Sequence, residues 1–264
     1  MQSAASKAVV SNKELWAGRI ISGLVIAFMF FDGAIHLMKI APVVQAFQEL
    51  GWPISQAVVL GIIELLCAVI YLYPRTSILG AILLTGYLGG AVLTQLRVGH
   101  SLFGEVLFPV YLGILVWAGL YLREPRLHSL IPLQTSAFTA VSGKMLWTGR
   151  IVSIIPAILI LFGAIVKLLK APGVAAGFAK AGLPEHLILI VGSIEFLCVV
   201  IYLVPRTAVL GAILIAGLMG GATATNVRVG DPSFAITLTL GVLVWLGLFL
   251  RNRELRELVP LRRV

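Results

Sequence analysis

The sequence predicts an all-α polytopic membrane protein with eight transmembrane helices, arranged as two tandem four-helix bundles. Three observations carry that expectation. The residues AVILMFWYC fill 59% of 264 positions and only 12% are charged, giving a mean hydropathy of +1.04, whereas water-soluble domains are about half apolar and a quarter charged. Apolar runs recur along the whole chain, so hydrocarbon is the solvent for most of it. The second half of the sequence repeats the first.

Crossing about 30 Å of hydrocarbon at 1.5 Å per residue takes roughly 20 residues, and 17 suffice where the ends are polar. That measure places spans at 18–38, 57–73, 78–95, 103–122, 149–169, 187–203, 209–226 and 234–250. The polar start, 1–14, has no small-residue cleavage site after a short apolar core, so a retained first helix is expected and no cleaved signal peptide. After the first span of each half, the weakly amphipathic stretches 42–51 and 172–182 are expected to lie along the outer interface. Pro74-Arg75-Thr76 and Pro205-Arg206-Thr207 end the second spans, because proline cannot continue a helix and arginine marks the headgroup level. Thr76 and Thr207 are expected to cap the third spans. Those spans carry Gly86, Gly89 and Gly90, and Gly217, Gly220 and Gly221, small residues that let helix backbones approach closely in lipid. Tyr71 and Tyr202 read as interface aromatics.

The stretch 61–99 matches 192–230 at 25 of 39 positions without a gap, and the same offset of 131 pairs Trp16 and Arg19 with Trp147 and Arg150. After a three-residue contraction, Trp117 and Arg123 match Trp245 and Arg251. This is a tandem duplication. The expected organisation is an N-terminal tail (1–15), a first four-helix unit (16–123), a connector (124–146) with Pro125 and Pro132, a second unit (147–251) and a basic C-terminal tail (252–264). Four spans per unit is an even number, so both copies enter the membrane from the same side. Parallel repeats follow, related by an axis along the membrane normal.

The net charge of +9 is a topology signal. Fourteen of the 20 basic residues fall on the side that holds both termini. The other six are Lys39, Arg97, Lys167, Lys170, Lys180 and Arg228. The positive-inside rule then places both termini in the cytoplasm. The lipid bilayer with its anionic headgroups is the partner this charge implies, and nucleic acid is not expected.

The run Tyr71-Leu72-Tyr73-Pro74-Arg75-Thr76, followed by Leu79-Gly80-Ala81, Gly86-Tyr87-Leu88-Gly89-Gly90-Ala91 and Arg97-Val98-Gly99, resembles the DoxX-like family of small four-helix membrane proteins. Asp32-Gly33-Ala34-Ile35-His36-Leu37-Met38 resembles that family's first helix. The second copy departs there, with Gly163 in place of Asp32 and Lys167 in place of His36. The resemblance implies a DoxX-like unit written twice in a bacterial inner membrane. It also implies a link, in some relatives, to sulfur or thiol redox metabolism with quinone as electron acceptor.

An ionisable side chain near the bilayer centre costs about 2.5–3.5 kcal/mol on insertion scales, so each one asks for a partner or a role. Asp32 and His36 lie one helical turn apart, Glu64 follows in the second span, and Arg97 at the outer end of the third span is the natural countercharge. The second copy offers Lys167, Glu195 and Arg228. Each set reads either as a buried cluster that fixes helix register or as a ligand or proton site, with the first copy leaning to the latter. Cys67 and Cys198 are the only cysteines, one per copy. They lack the close pair that thiol exchange needs, and read as packing residues. No catalytic motif is present. His36, His100, His128 and His186 are scattered without metal-ligand spacing, so no metal is expected from the linear pattern.

Three functions remain open on the sequence. The first is a module that binds a small or lipid-like molecule, or a partner membrane protein, in an intramembrane pocket lined by Asp32, His36, Glu64 and Arg97. The second is the membrane component of a quinone-linked oxidoreductase, and the third a small-solute or ion transporter.

Overall fold

The computed structural model describes residues 11–134 and 141–261. Lys7, Arg262, Arg263 and connector residues 135–140 lie outside the described residues. Among the described residues every regular element is helical. The first copy contributes α1 (Asn12–Met38), α2 (Ala41–Glu49), α3 (Gln56–Leu72), α4 (Ser77–Val98) and α5 (Phe108–Arg123). The second contributes α6 (Gly143–Leu168), α7 (Val174–Lys180), α8 (Leu187–Leu203), α9 (Ala208–Arg228), α10 (Phe234–Arg251) and the short α11 (Arg253–Leu258).

Six segments are long and apolar enough to cross a membrane: α1, α4, the π-helical turn Leu102–Val106 with α5, α6, Pro205–Arg228 and α10. The remaining two expected spans, α3 and α8, are apolar helices of 17 residues each. Large apolar side chains cover the outside, among them Leu24 and Phe31 on α1, Ile158 and Phe162 on α6, and Ile236 on α10, all more than half exposed. Water does not tolerate such a surface, and lipid does. Trp16 and Trp147 stand at one end with Arg19 and Arg150 over their rings at 5.4 and 5.1 Å.

Within the first copy α1 packs on α3 and α5, and α4 packs on the same two helices. In the second copy α6 packs on α8 and α10, with α9 closing the ring. The copies meet through α4 and α9. The glycines explain why. A Cβ added to Gly89 would lie 2.0 Å from the Gly217 carbonyl oxygen, and one added to Gly220 would lie 1.9 Å from that of Gly86. The two contacts are reciprocal at the repeat offset, as an isologous twofold contact requires.

A second shared device holds each copy together. Tyr71 and Tyr202 are completely buried, and their hydroxyls donate to the carbonyls of Val116 on α5 and Val244 on α10 at 2.8 and 3.1 Å. Arg123 and Arg251 cover the rings at 5.2 and 5.6 Å. These tyrosines therefore are not interface aromatics, since a buried hydroxyl with a carbonyl acceptor has no need of water. Gly80 and Gly211 make the fit, because a Cβ on either would lie 2.3–2.4 Å from the tyrosine backbone. The expected caps differ too. Thr76 and Thr207 make no side-chain cap to α4 or α9. Their hydroxyls donate back to the carbonyls of Ile70 and Ile201 at 2.6 and 2.7 Å, closing the ends of the preceding helices.

The described part of the connector is docked. Leu127 and Leu130 are buried in the core, as are Leu255 and Leu258 of α11, and Ser129 donates to Glu254 at 3.1 Å. The stretches 123–133 and 251–261 align at the contracted offset, Leu127 with Leu255, Leu130 with Leu258 and Pro132 with Pro260. Each copy thus ends in a short amphipathic cap. The repeat runs further than the tryptophan and arginine pairs suggest.

Candidate functional site

Three of the four expected site residues in the first copy come together. Asp32 and His36, at i and i+4, share one face of α1. Glu64 reaches them from α3 because the two backbones approach closely. A Cβ on Gly61 would lie 2.9 Å from both the Gly33 carbonyl oxygen and His36 Cβ. His36 Nδ1 lies 2.9 Å from the Asp32 carbonyl oxygen, 3.5 Å from Asp32 Oδ2 and 3.5 Å from Glu64 Oε2. Tyr87 of α4 donates to Glu64 Oε2 at 2.7 Å. Phe47 of α2 meets the His36 ring edge-on, with centroids 5.6 Å apart.

Burial is graded across the cluster. Glu64 is fully buried, and its Oε1 has no hydrogen-bond partner. The side chains of His36 and Asp32 are 17% and 32% exposed, so the site opens toward Asp32. One ligand atom from each of the three residues falls within 4.8 Å of the others. Proximity of two carboxyl groups to an imidazole suits proton exchange or cation binding.

Arg97 does not join this cluster. Its Nη2 donates to the carbonyl of Leu50, which caps the C-terminal end of α2. Arg228 does the same to Ala181 at the end of α7, at 2.5 Å. Both arginines therefore satisfy orphan carbonyls of the short helices α2 and α7.

The second copy closes its own charge. Lys167 Nζ lies 2.7 and 3.0 Å from the two oxygens of Glu195 and 3.2 Å from the Gly163 carbonyl oxygen. Leu218 stands where the first copy has Tyr87. Tyr87 was not among the residues expected at the site. The signal for it lay in the repeat, since it differs between copies as Asp32 and His36 do.

A cavity lies elsewhere. A cleft of about 760 Å³ opens between the copies, lined by α4 and α5 on one side and α8 and α9 on the other. Leu93, Ile114, Trp117, Ile194, Leu214 and Leu218 form much of its wall. Trp117 donates its indole N–H to Thr85 at 2.9 Å, so that wall is apolar toward the cleft. Glu195 and Cys198 are among its lining residues, while Asp32, His36, Glu64 and Arg97 do not line it. Cys67 and Cys198 are free and buried.

No curated protein and no solved structure matches the chain. The profile of the DoxX-like family matches twice, over residues 20–119 and 151–247, and the two stretches contain both charge clusters and both arginine clamps. With three quarters of its length accounted for by these matches, the chain belongs to the DoxX-like family, as two tandem copies of the family's unit.

Proposed function

We propose that this protein binds a lipid-like molecule, an apolar tail with a small polar end, in the cleft between its two copies. The observation that carries the reading is the cleft of about 760 Å³, walled by apolar side chains, with Glu195 among its lining residues. Pockets of a few hundred Å³ with few polar groups are the usual size and character of small-molecule sites. The Lys167–Glu195 pair supplies charge for the polar end, and the surrounding helices supply a dry wall for the tail.

The site is set in an eight-pass protein of two four-helix bundles in a bacterial inner membrane, with both termini in the cytoplasm. At 1.5 Å per residue, the 17 residues of α3 and α8 extend about 26 Å, near the lower limit for a span. Each packs along two helices long enough to cross and is joined at one end by a Pro-Arg-Thr turn to the next crossing helix. The excess of basic residues at the ends that carry both termini supports the orientation.

The test is extraction of the purified full-length protein followed by mass spectrometry of the bound organic fraction. Wild type is expected to retain one lipid-like species in near-equimolar amount. Leu218→Tyr, which places the first copy's tyrosine in the cleft, is expected to lose it by about tenfold or more, the scale of 1.4 kcal/mol of lost contact. Equal retention by both proteins overturns the reading. Recovery of a quinone alone replaces it with the quinone-linked one.

A further inference from the structure

We infer that the first copy binds a divalent first-row transition-metal ion between Asp32, His36 and Glu64, a site separate from the cleft. The first argument is geometric. The two 3.5 Å separations from His36 Nδ1 to Asp32 Oδ2 and Glu64 Oε2 are too long for good N–H···O hydrogen bonds, which run about 2.7–3.2 Å. They match the edge of a tetrahedron of ligands around an ion with bonds of about 2.1 Å, roughly 3.4 Å. All three donor atoms fall within 4.8 Å of one another, so one ion can touch all of them.

The second argument is the duplicated copy. There the matched place is filled by the protein's own cation, with Lys167 Nζ bonded to both oxygens of Glu195. Gly163 in place of Asp32 leaves a single carboxyl group for that ammonium. The first copy has two carboxyl groups, an imidazole in place of the ammonium, and no Lys or Arg ion-paired to either acid among the described residues. Glu64 is fully buried beside the part-exposed Asp32, and a buried acid without a fixed cation calls for a mobile one.

The third is the orphan atom. Glu64 is fully buried and its Oε1 has no partner, whereas buried carboxylate oxygens are ordinarily satisfied. An ion held by both Glu64 oxygens, Oε2 on the His36 side and Oε1 beside it, would take that lone pair. Tyr87, bonded to Oε2, would orient the carboxylate as outer partners of metal ligands do. His36 would bind through Nδ1 as the tautomer with its proton on Nε2, giving up any bond from Nδ1 to the Asp32 carbonyl. Two carboxylates and one imidazole suit Zn²⁺, Mn²⁺ or Fe²⁺ better than the softer ions that favour sulfur. Three protein ligands leave a further position facing the partly exposed Asp32 side. Linear spacing hides such a site, because the ligands come from two helices.

The experiment uses the untagged full-length protein in detergent, stripped with EDTA and titrated with Co²⁺, whose visible bands report its ligands, then with Zn²⁺ in competition. One Co²⁺ per chain, displaced by Zn²⁺, is expected. Asp32→Asn and His36→Ala should each weaken Co²⁺ binding by about 100-fold or more, and Tyr87→Phe by about 10-fold. Asp32→Gly/His36→Lys installs the second copy's arrangement, which carries its own cation, so it should fold with wild-type melting behaviour and bind no Co²⁺. A wild-type protein that melts cooperatively yet takes up no stoichiometric Co²⁺ overturns the proposal. So does Co²⁺ binding that survives in the double variant.

Discussion

His36 and Lys167 occupy one position in the two copies, and the electrostatics of each copy turns on that single difference. Lys167 saturates Glu195 from 2.7 and 3.0 Å, and both side chains are largely buried, at 20% and 10% exposure. Removing one partner of a buried pair strands the other, which costs about 3–5 kcal/mol in full burial and less at this residual exposure. Lys167→Met should therefore lower the detergent melting temperature clearly, and Lys167→Met/Glu195→Gln should recover most of the loss. Thermal melts of Lys167→Met, Glu195→Gln and the double variant, read against wild type as a double-mutant cycle, measure the coupling. Additive losses would show that the pair contributes nothing. The pairing was legible in the sequence, because a lysine and a glutamate stand at matched places in adjacent apolar spans. Tyr87 was not, because a tyrosine in an apolar helix has many packing roles and only the fold aims its hydroxyl at Glu64.

At the scale of elements, the short helices α2 and α7 are held by a pair of arginines the sequence suggested for another task. A guanidinium in an apolar span calls for a negative partner, and Glu64 was the nearest acid in the reading. The fold supplies carbonyl oxygens instead, at Leu50 and Ala181, where the turns pass through Gly51 and Gly182 at φ of +60 and +64°. A Cβ on Gly182 would crowd Arg228 Nη2 at 3.0 Å, and the positive φ favours glycine there. Where a helix end docks depends on the tertiary path of the chain, which periodicity does not encode. Arg97→Ala should free the end of α2 and raise amide hydrogen exchange across 43–52, leaving exchange in α4 unchanged. The cost should be about 1.5–3 kcal/mol, that of a hydrogen bond to a charged donor. Unchanged exchange over 43–52 would mean that Val43, Phe47 and Trp52, all buried, hold α2 without the arginine.

At the scale of the whole molecule, the duplication joins two copies of one unit in a single chain, and the α4–α9 crossing is the joint. The glycines were legible as close-approach sites. Which helix met which was not, since glycines on any two helices can pair, and only the fold shows that α4 meets its own repeat. Small-to-large changes in a tight joint commonly cost about 1–3 kcal/mol through forced backbone shifts, and here the contacts rank the positions in advance. Gly89 and Gly220 face backbone oxygens at 2.0 and 1.9 Å from an added Cβ, so Gly89→Ala or Gly220→Ala must push the helices apart. Gly86 and Gly217 leave 3.6 Å at the same crossing, an ordinary contact, so alanine fits there. Gly86→Ala should thus melt as wild type does or slightly above it, since alanine favours helix over glycine by up to about 1 kcal/mol. Gly89→Ala, three residues along, should melt distinctly lower, and Gly89→Ala/Gly220→Ala lower still. Because both copies share the joint, the loss should appear as separation of the halves. A cysteine cross-link engineered between α4 and α9 should form readily in Gly86→Ala and poorly in the double variant, while contacts within each copy, read by amide hydrogen exchange in α1 and α6, stay intact. Equal melting of Gly86→Ala and Gly89→Ala would show that the copies are joined by something other than this crossing.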